Sequence, residues 1–211
     1  KVKKLILSEE VFSFGIVTGI ISVVLMAICV NIISAILLTF TILYYVFVYT
    51  IWLKRSSIYN VVIGGVSGAL PPVIGWTAVT GQITIEPMIL FLIIFIWTPP
   101  HSWALALFRS EDYRKANVPM MHIVKGELHT KKQILYYSVL MVVVTYLPYF
   151  FLNTHFIYLV FVSLLNCVFL YICTKLFNDF QYIYAKKLFW YSIFYLFAIF
   201  VLLLGSAKIF L

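Results

Sequence analysis

Residues 11–53 read VFSFGIVTGIISVVLMAICVNIISAILLTFTILYYVFVYTIWL, 43 residues without one Asp, Glu, Lys or Arg. About 20 apolar residues cross a bilayer as helix, so this stretch holds two spans, with the polar Asn31 marking the turn between them. The same reading extends along the chain. Uncharged runs at 56–85, 87–108, 133–174 and 188–207 are 30, 22, 42 and 20 residues long, and the 42-residue run divides at Asn153-Thr154-His155. Seven spans result. The apolar residues form unbroken blocks rather than alternating, which argues against a β-barrel. The fold class is an all-α polytopic transmembrane helix bundle.

Composition agrees. Only 10% of the 211 residues are charged and mean hydropathy is +1.07, whereas a soluble domain carries about 25% charged residues. A disordered tail, a disulfide mini-protein and an ordinary cytosolic enzyme are excluded. Cys29, Cys167 and Cys173 lie in apolar runs without ligand-like spacing.

The charges test the span count independently. Three basic residues lie in 1–10, two in 54–60, six in 109–132 and three in 174–187, so 14 of 15 fall on alternate loops. Basic residues concentrate in cytoplasmic loops, which puts residues 1–10 in the cytoplasm and the C-terminus outside. The net charge of +8 is therefore a topology signal, spread over short loops, and no nucleic-acid partner is expected.

Three places depart from plain lipid-facing helix. Lys54-Arg55 closes the second span; the pair reads either as snorkelling anchors or as cations at a cavity mouth holding an anion such as a diphosphate. Residues 64–81 hold five of the nine glycines and the pair Pro71-Pro72. They read as a tight packing face with a kink, or as a cavity wall, where broken helix is tolerated at membrane depth. The third is Trp97-Thr98-Pro99-Pro100-His101-Ser102-Trp103, followed by the mixed-charge loop from Arg109 to Met120. Its proline pair should kink the fourth span. His101 is either bonded to a carbonyl freed by the prolines or functional, as intramembrane ionisable residues tend to be. The loop is either simply solvated or a magnesium–diphosphate site, with Glu111 and Asp112 as carboxylates and Arg109, Arg114 and Lys115 neutralising the rest.

The strings Tyr49-Thr50…Leu53-Lys54-Arg55, Gly64-Gly65…Gly68-Ala69…Pro71-Pro72…Gly75-Trp76, Trp97-Thr98-Pro99-Pro100-His101 and Asp112-Tyr113…Ala116-Asn117-Val118-Pro119-Met120 resemble the protoheme IX farnesyltransferase (haem O synthase) family. That family belongs to the UbiA-type intramembrane prenyltransferase superfamily. The resemblance runs from about residue 8 to residue 133 in the family order; the last three spans carry no motif. It implies nine helices around a central cavity and farnesyl transfer from farnesyl diphosphate to a vinyl group of haem B, giving haem O with Mg²⁺ as cofactor. It also implies a multi-pass protein of the bacterial inner membrane or the mitochondrial inner membrane, with lipid around it and contact with haem A synthase or terminal oxidase assembly.

On this resemblance the chain, 1–211, is a single transmembrane prenyltransferase domain lacking the family's first two helices and their acidic motif; residues 1–111 contain no Asp. The chain alone is then expected to be inactive. The superfamily's Asp-x-x-x-Asp is reduced to Glu111-Asp112, and His122 stands where the family usually has Pro. The expected catalytic residues are Asp112, Lys54 and Arg55, with Asp112 and Glu111 at the metal. Arg109, Tyr113, Arg114, Lys115, His101, Trp103 and Asn60 are expected around the substrates, His101 as iron ligand or propionate donor. The rivals are a prenyltransferase for a quinone precursor, a transporter, and a haem-binding assembly protein without catalysis. Both Pro-Pro pairs sit in adjacent spans rather than in corresponding halves of the chain, against the transporter.

Overall fold

The structure, a computed structural model, describes residues 8–206. The expectations for residues 1–7 and for the C-terminus, with Lys1, Lys3, Lys4 and Lys208, lie outside the described residues. Seven helical spans cross from Glu9 to Ser206, and no β-strand occurs among the described residues. The chain is a multi-pass membrane protein.

The first span is α1 (Ser8–Cys29), with Glu9 and Glu10 in its first turn, where the positive end of the helix dipole favours them. Asn31 makes the turn. Its Oδ1 accepts from the Ser34 amide at 2.9 Å, and its Nδ2 donates to the Thr77 carbonyl at 2.8 Å. One side chain thus caps α2 (Ile32–Leu43) and ties it to the third span. Beyond Leu43 the second span continues to Leu53 in a wider winding, with i→i+5 bonds such as Lys54 N–H to Tyr49 O at 2.8 Å.

The third span is two helices, α3 (Asn60–Ala69) and α4 (Pro71–Thr80), meeting at Leu70. Pro71 and Pro72 occupy the first positions of α4, where a missing N–H costs nothing. The other proline pair behaves differently: α5 (Ile85–Phe108) runs on through Pro99-Pro100. Next come the short extramembrane helices α6 (Ser110–Lys115) and α7 (Met121–Val124), and then the spans α8 (Glu127–Phe151), α9 (Phe156–Lys175) and α10 (Ile183–Ser206).

Helix α5 is the hub, packed against α3, α8 and α10. Trp103, Leu107, Met141, Phe169, Leu188 and Tyr195 are fully enclosed in that core. A buried polar network ties the last three spans: Tyr158 OH donates to Thr145 O (2.8 Å), Asn166 Nδ2 to Thr145 Oγ1 (3.1 Å) and Tyr195 OH to Asn166 Oδ1 (2.5 Å). The groups of this network satisfy one another, as a water-free surrounding requires.

Candidate active site at the membrane surface

Two neighbouring hollows of opposite character lie at the end of the bundle that carries the basic loops. The first is apolar, about 450 Å³, between the widened part of the second span, α3 and α5. Tyr45, Tyr49, Gly64, Gly65, Gly68, Thr98 and Ser102 line it. The glycine-rich face exists because side chains would not fit: a Cβ on Gly64 would overlap the Tyr49 ring, and one on Gly65 would stand 3.3 Å from Thr98 Cγ2. The Gly/Pro stretch is thus a cavity wall along α3, and the proline pair only ends that helix.

The second hollow is charged, about 490 Å³, and opens where α5 gives way to α6. Arg109, Ser110, Glu111, Asp112 and Arg114 line it from one side, Glu127 and Tyr182 from the other. Helix α5 runs past both hollows: Thr98 and Ser102 line the first, Leu107 and Phe108 the second. Tyr113, half-buried on α6, lines neither; burial together with the Asp112 charge pushes its phenol up.

The predicted residues divide by location. Glu111 and Asp112 stand exposed in the first turn of α6. Asp112 Oδ2 lies 3.4 Å from Arg109 Nη1, both side chains more than half exposed, so this pair adds little stability and stays free to rearrange. Arg109, Glu111, Asp112 and Arg114 are brought together around one hollow. Lys54, Arg55 and Lys115 are exposed and line neither hollow. Asn60 is buried, and its Nδ2 donates to Ser57 O at 2.7 Å, holding the turn into α3.

His101 faces α10. Its Nδ1 pairs with Ser192 Oγ at 2.7 Å, and its ring is stacked between Trp97 (4.2 Å) and Phe189 (4.7 Å), outside the lining of the apolar hollow. Trp103 is enclosed edge-on against Tyr137, and its Nε1 has no partner among the described residues. His122, which departs from the family pattern, is buried and joins α7 to the start of α6, Nε2 to Ser110 Oγ at 2.9 Å. Burial holds its imidazole below the usual range; Glu127 opposes that shift and Arg114 adds to it.

Tyr49, Glu127 and Tyr182 were not singled out by sequence. Tyr49 lay inside a quoted string, and the other two carried no motif at all.

The donor chemistry bears on a metal. Among the described residues no group of three or more His, Cys, Asp and Glu side chains converges. That excludes an all-protein cage from these residues. Two adjacent carboxylates, Glu111 and Asp112, beside two arginines do fit magnesium, which takes one or two carboxylates and completes its shell with phosphate oxygens and water. The arrangement can therefore grip a polyanion at the surface while an apolar tail lies in the neighbouring hollow.

Comparison with known proteins follows this division. The UbiA prenyltransferase family pattern matches residues 2–199. The protoheme IX farnesyltransferase of Rickettsia massiliae (strain Mtu5) is 57% identical over 209 residues, 99% of this chain and 68% of that protein. The protein of the same name from Rickettsia prowazekii (strain Madrid E) is 54% identical over 209 residues, 99% of this chain and 67% of that one. A solved digeranylgeranylglyceryl phosphate synthase superposes with a TM-score of 0.80 at 19% identity, over 97% of this chain and 71% of that chain, a likeness of fold.

Proposed function

The chain belongs to the UbiA prenyltransferase family and is a prenyltransferase; from that premise we propose that it transfers the farnesyl group of farnesyl diphosphate to a vinyl group of protoheme IX, making haem O. The observation that carries the proposal is that one helix, α5, walls both an apolar hollow, at Thr98 and Ser102, and a charged one, at Leu107 and Phe108. An amphipathic allylic diphosphate has the same two parts. The apolar volume of about 450 Å³ lies within the range of ordinary small-molecule sites.

The transfer balances as follows. The bond between the farnesyl C1 and the diphosphate oxygen breaks, and its electron pair leaves with the diphosphate. The vinyl π-electrons form a new carbon–carbon bond to C1. The cation left on the haem side chain takes up water, which loses a proton to give the hydroxyethyl product. Arg109 and Arg114 are positioned to stabilise the departing oxygens, since pre-placed charges act where charge develops. Glu111 and Asp112 would hold magnesium. When bound, that ion supplies further neutralisation of the leaving group. Tyr45 and Tyr49, in the apolar lining, are the aromatic rings offered to the allylic cation. The apolar lining keeps water from capturing it early.

The test is haem extraction from cells expressing the whole gene product. Haem O is expected with the wild type and none with Asp112→Ala, at equal amounts of membrane protein. Undiminished haem O from Asp112→Ala would remove the charged hollow from the reaction.

A further inference from the structure

The spans beyond residue 133 carry no motif, yet one loop among them reaches the charged hollow. Tyr182, in the connection from α9 to α10, lines it with Arg109, Asp112 and Arg114. Its φ is +56°, the left-handed region that a bulky residue seldom enters, so the placement carries a backbone cost. Built contacts hold it there. Asp179 accepts from the amides of Ile183 (2.9 Å), Tyr184 (2.7 Å) and Ala185 (2.9 Å), fixing the start of α10 directly after Tyr182. Buried Lys131 donates Nζ to the Asp179 carbonyl at 3.1 Å and clamps the loop to α8. The Tyr182 hydroxyl donates to Glu127 Oε1, while Glu127 Oε2 lies 4.0 Å from Lys131 Nζ.

The geometry points to Tyr182 as a further substrate-binding residue, its phenol donating a hydrogen bond to a phosphate oxygen of the diphosphate held by the Arg109–Lys115 segment. This rests on the prenyl-diphosphate reading of the hollow. The hydrogen bond to Glu127, with some burial, pushes the Tyr182 phenol up to about 12, so it keeps its proton at neutral pH. A phosphate oxygen competes with Glu127 for that proton donor. When the phenol turns to phosphate, Glu127 keeps Lys131 as its counter-charge, so the carboxylate beside the bound anion stays paired. The α9–α10 connection becomes the wall of the site opposite α6. A purely structural Tyr–Glu bond would leave anion affinity untouched.

The experiment measures inorganic diphosphate binding by calorimetry, with magnesium, on the whole protein in lipid nanodiscs, next to haem O formation by the same preparations. Tyr182→Phe keeps the ring and its backbone conformation, and a thermal unfolding midpoint checks the fold. Diphosphate affinity is expected to fall about tenfold, equal to about 1.4 kcal/mol. KM for farnesyl diphosphate is expected to rise alike, and kcat to change less. A second variant, Glu127→Gln, replaces the charged acceptor by a weaker neutral one without touching the phenol's ring, so affinity should hold or rise; a loss there overturns the competition between carboxylate and phosphate. Equal affinity in wild type and Tyr182→Phe overturns the assignment, and with haem O still formed it overturns only that. Diphosphate binding that depends on Tyr182 without any haem O sustains the assignment and removes the haem reading. No diphosphate binding by the wild type removes both.

Discussion

The first two spans and the last three are built from the same kinds of residue and are packed in opposite ways. Among the described residues none of Glu9–Cys29 is buried, whereas Ile134, Ser138, Met141 and Thr145 of α8 are fully enclosed. The last three spans interlock through Phe169, Tyr195 and the Asn166–Thr145–Tyr158 network. The early spans instead leave glycine-lined space between the second span, α3 and α5. Apolar composition alone therefore does not say where a membrane protein is solid. Lipid is as apolar as leucine, so packing follows shape and polar pairing.

Substitutions that treat the two regions alike sharpen this contrast. The largest effect is expected from Phe169→Ala, which empties a fully enclosed ring site against Tyr191 and Tyr195. It should cost about 3–5 kcal/mol of stability by denaturant titration in detergent. Phe14→Ala on exposed α1 should stay within about 0.5 kcal/mol. Equal costs would erase the comparison.

Next comes Gly64→Ala. The added methyl displaces the Tyr49 ring, and misplacement at a reacting centre is expensive. Haem O formation should drop roughly tenfold or more while the unfolding midpoint hardly moves. Asn166→Leu should do the reverse: a stability loss of about 1 kcal/mol, the scale of hydrogen bonds between membrane helices, with unchanged turnover per folded molecule.

The smallest effect concerns His122 and pH. Its imidazole sits below the ordinary value of 6.5, chiefly through burial, so the neutral form is favoured in the fold. That contribution is complete above pH 6.5 and is lost as pH falls below it. The protection of amides around Ser110, with the intrinsic pH dependence of exchange divided out, should therefore fall between pH 7 and pH 5 in the wild type, and His122→Gln should flatten that dependence.

What sequence makes legible here follows from bilayer thickness and charge. Span number, the turns at Asn31 and Asn153–His155, and the carboxylate–arginine loop after α5 all follow from local composition, because hydrocarbon penalises any local deviation. The break at Pro71-Pro72 was readable for the same reason. Facing was not. His101 stacks on Phe189 of α10, and which side of α5 meets which neighbour depends on packing across nearly 90 residues of chain. The continuity of α5 through Pro99-Pro100 and the wide winding of Tyr44–Leu53 have no composition signature either. Tyr182 was invisible because it reaches the charged loop from some 70 residues downstream, without a motif of its own.

The wide winding has one further outcome. Tyr45 and Tyr49 lie with ring centroids 5.3 Å apart, both against the apolar hollow, while Lys54 follows at the span's exit. An ordinary helix advances about 100° per residue; the coil bonded to the fifth residue back advances less, so across Tyr44–Leu53 the exit at Lys54 is swung away from the bearing an ordinary helix would give it.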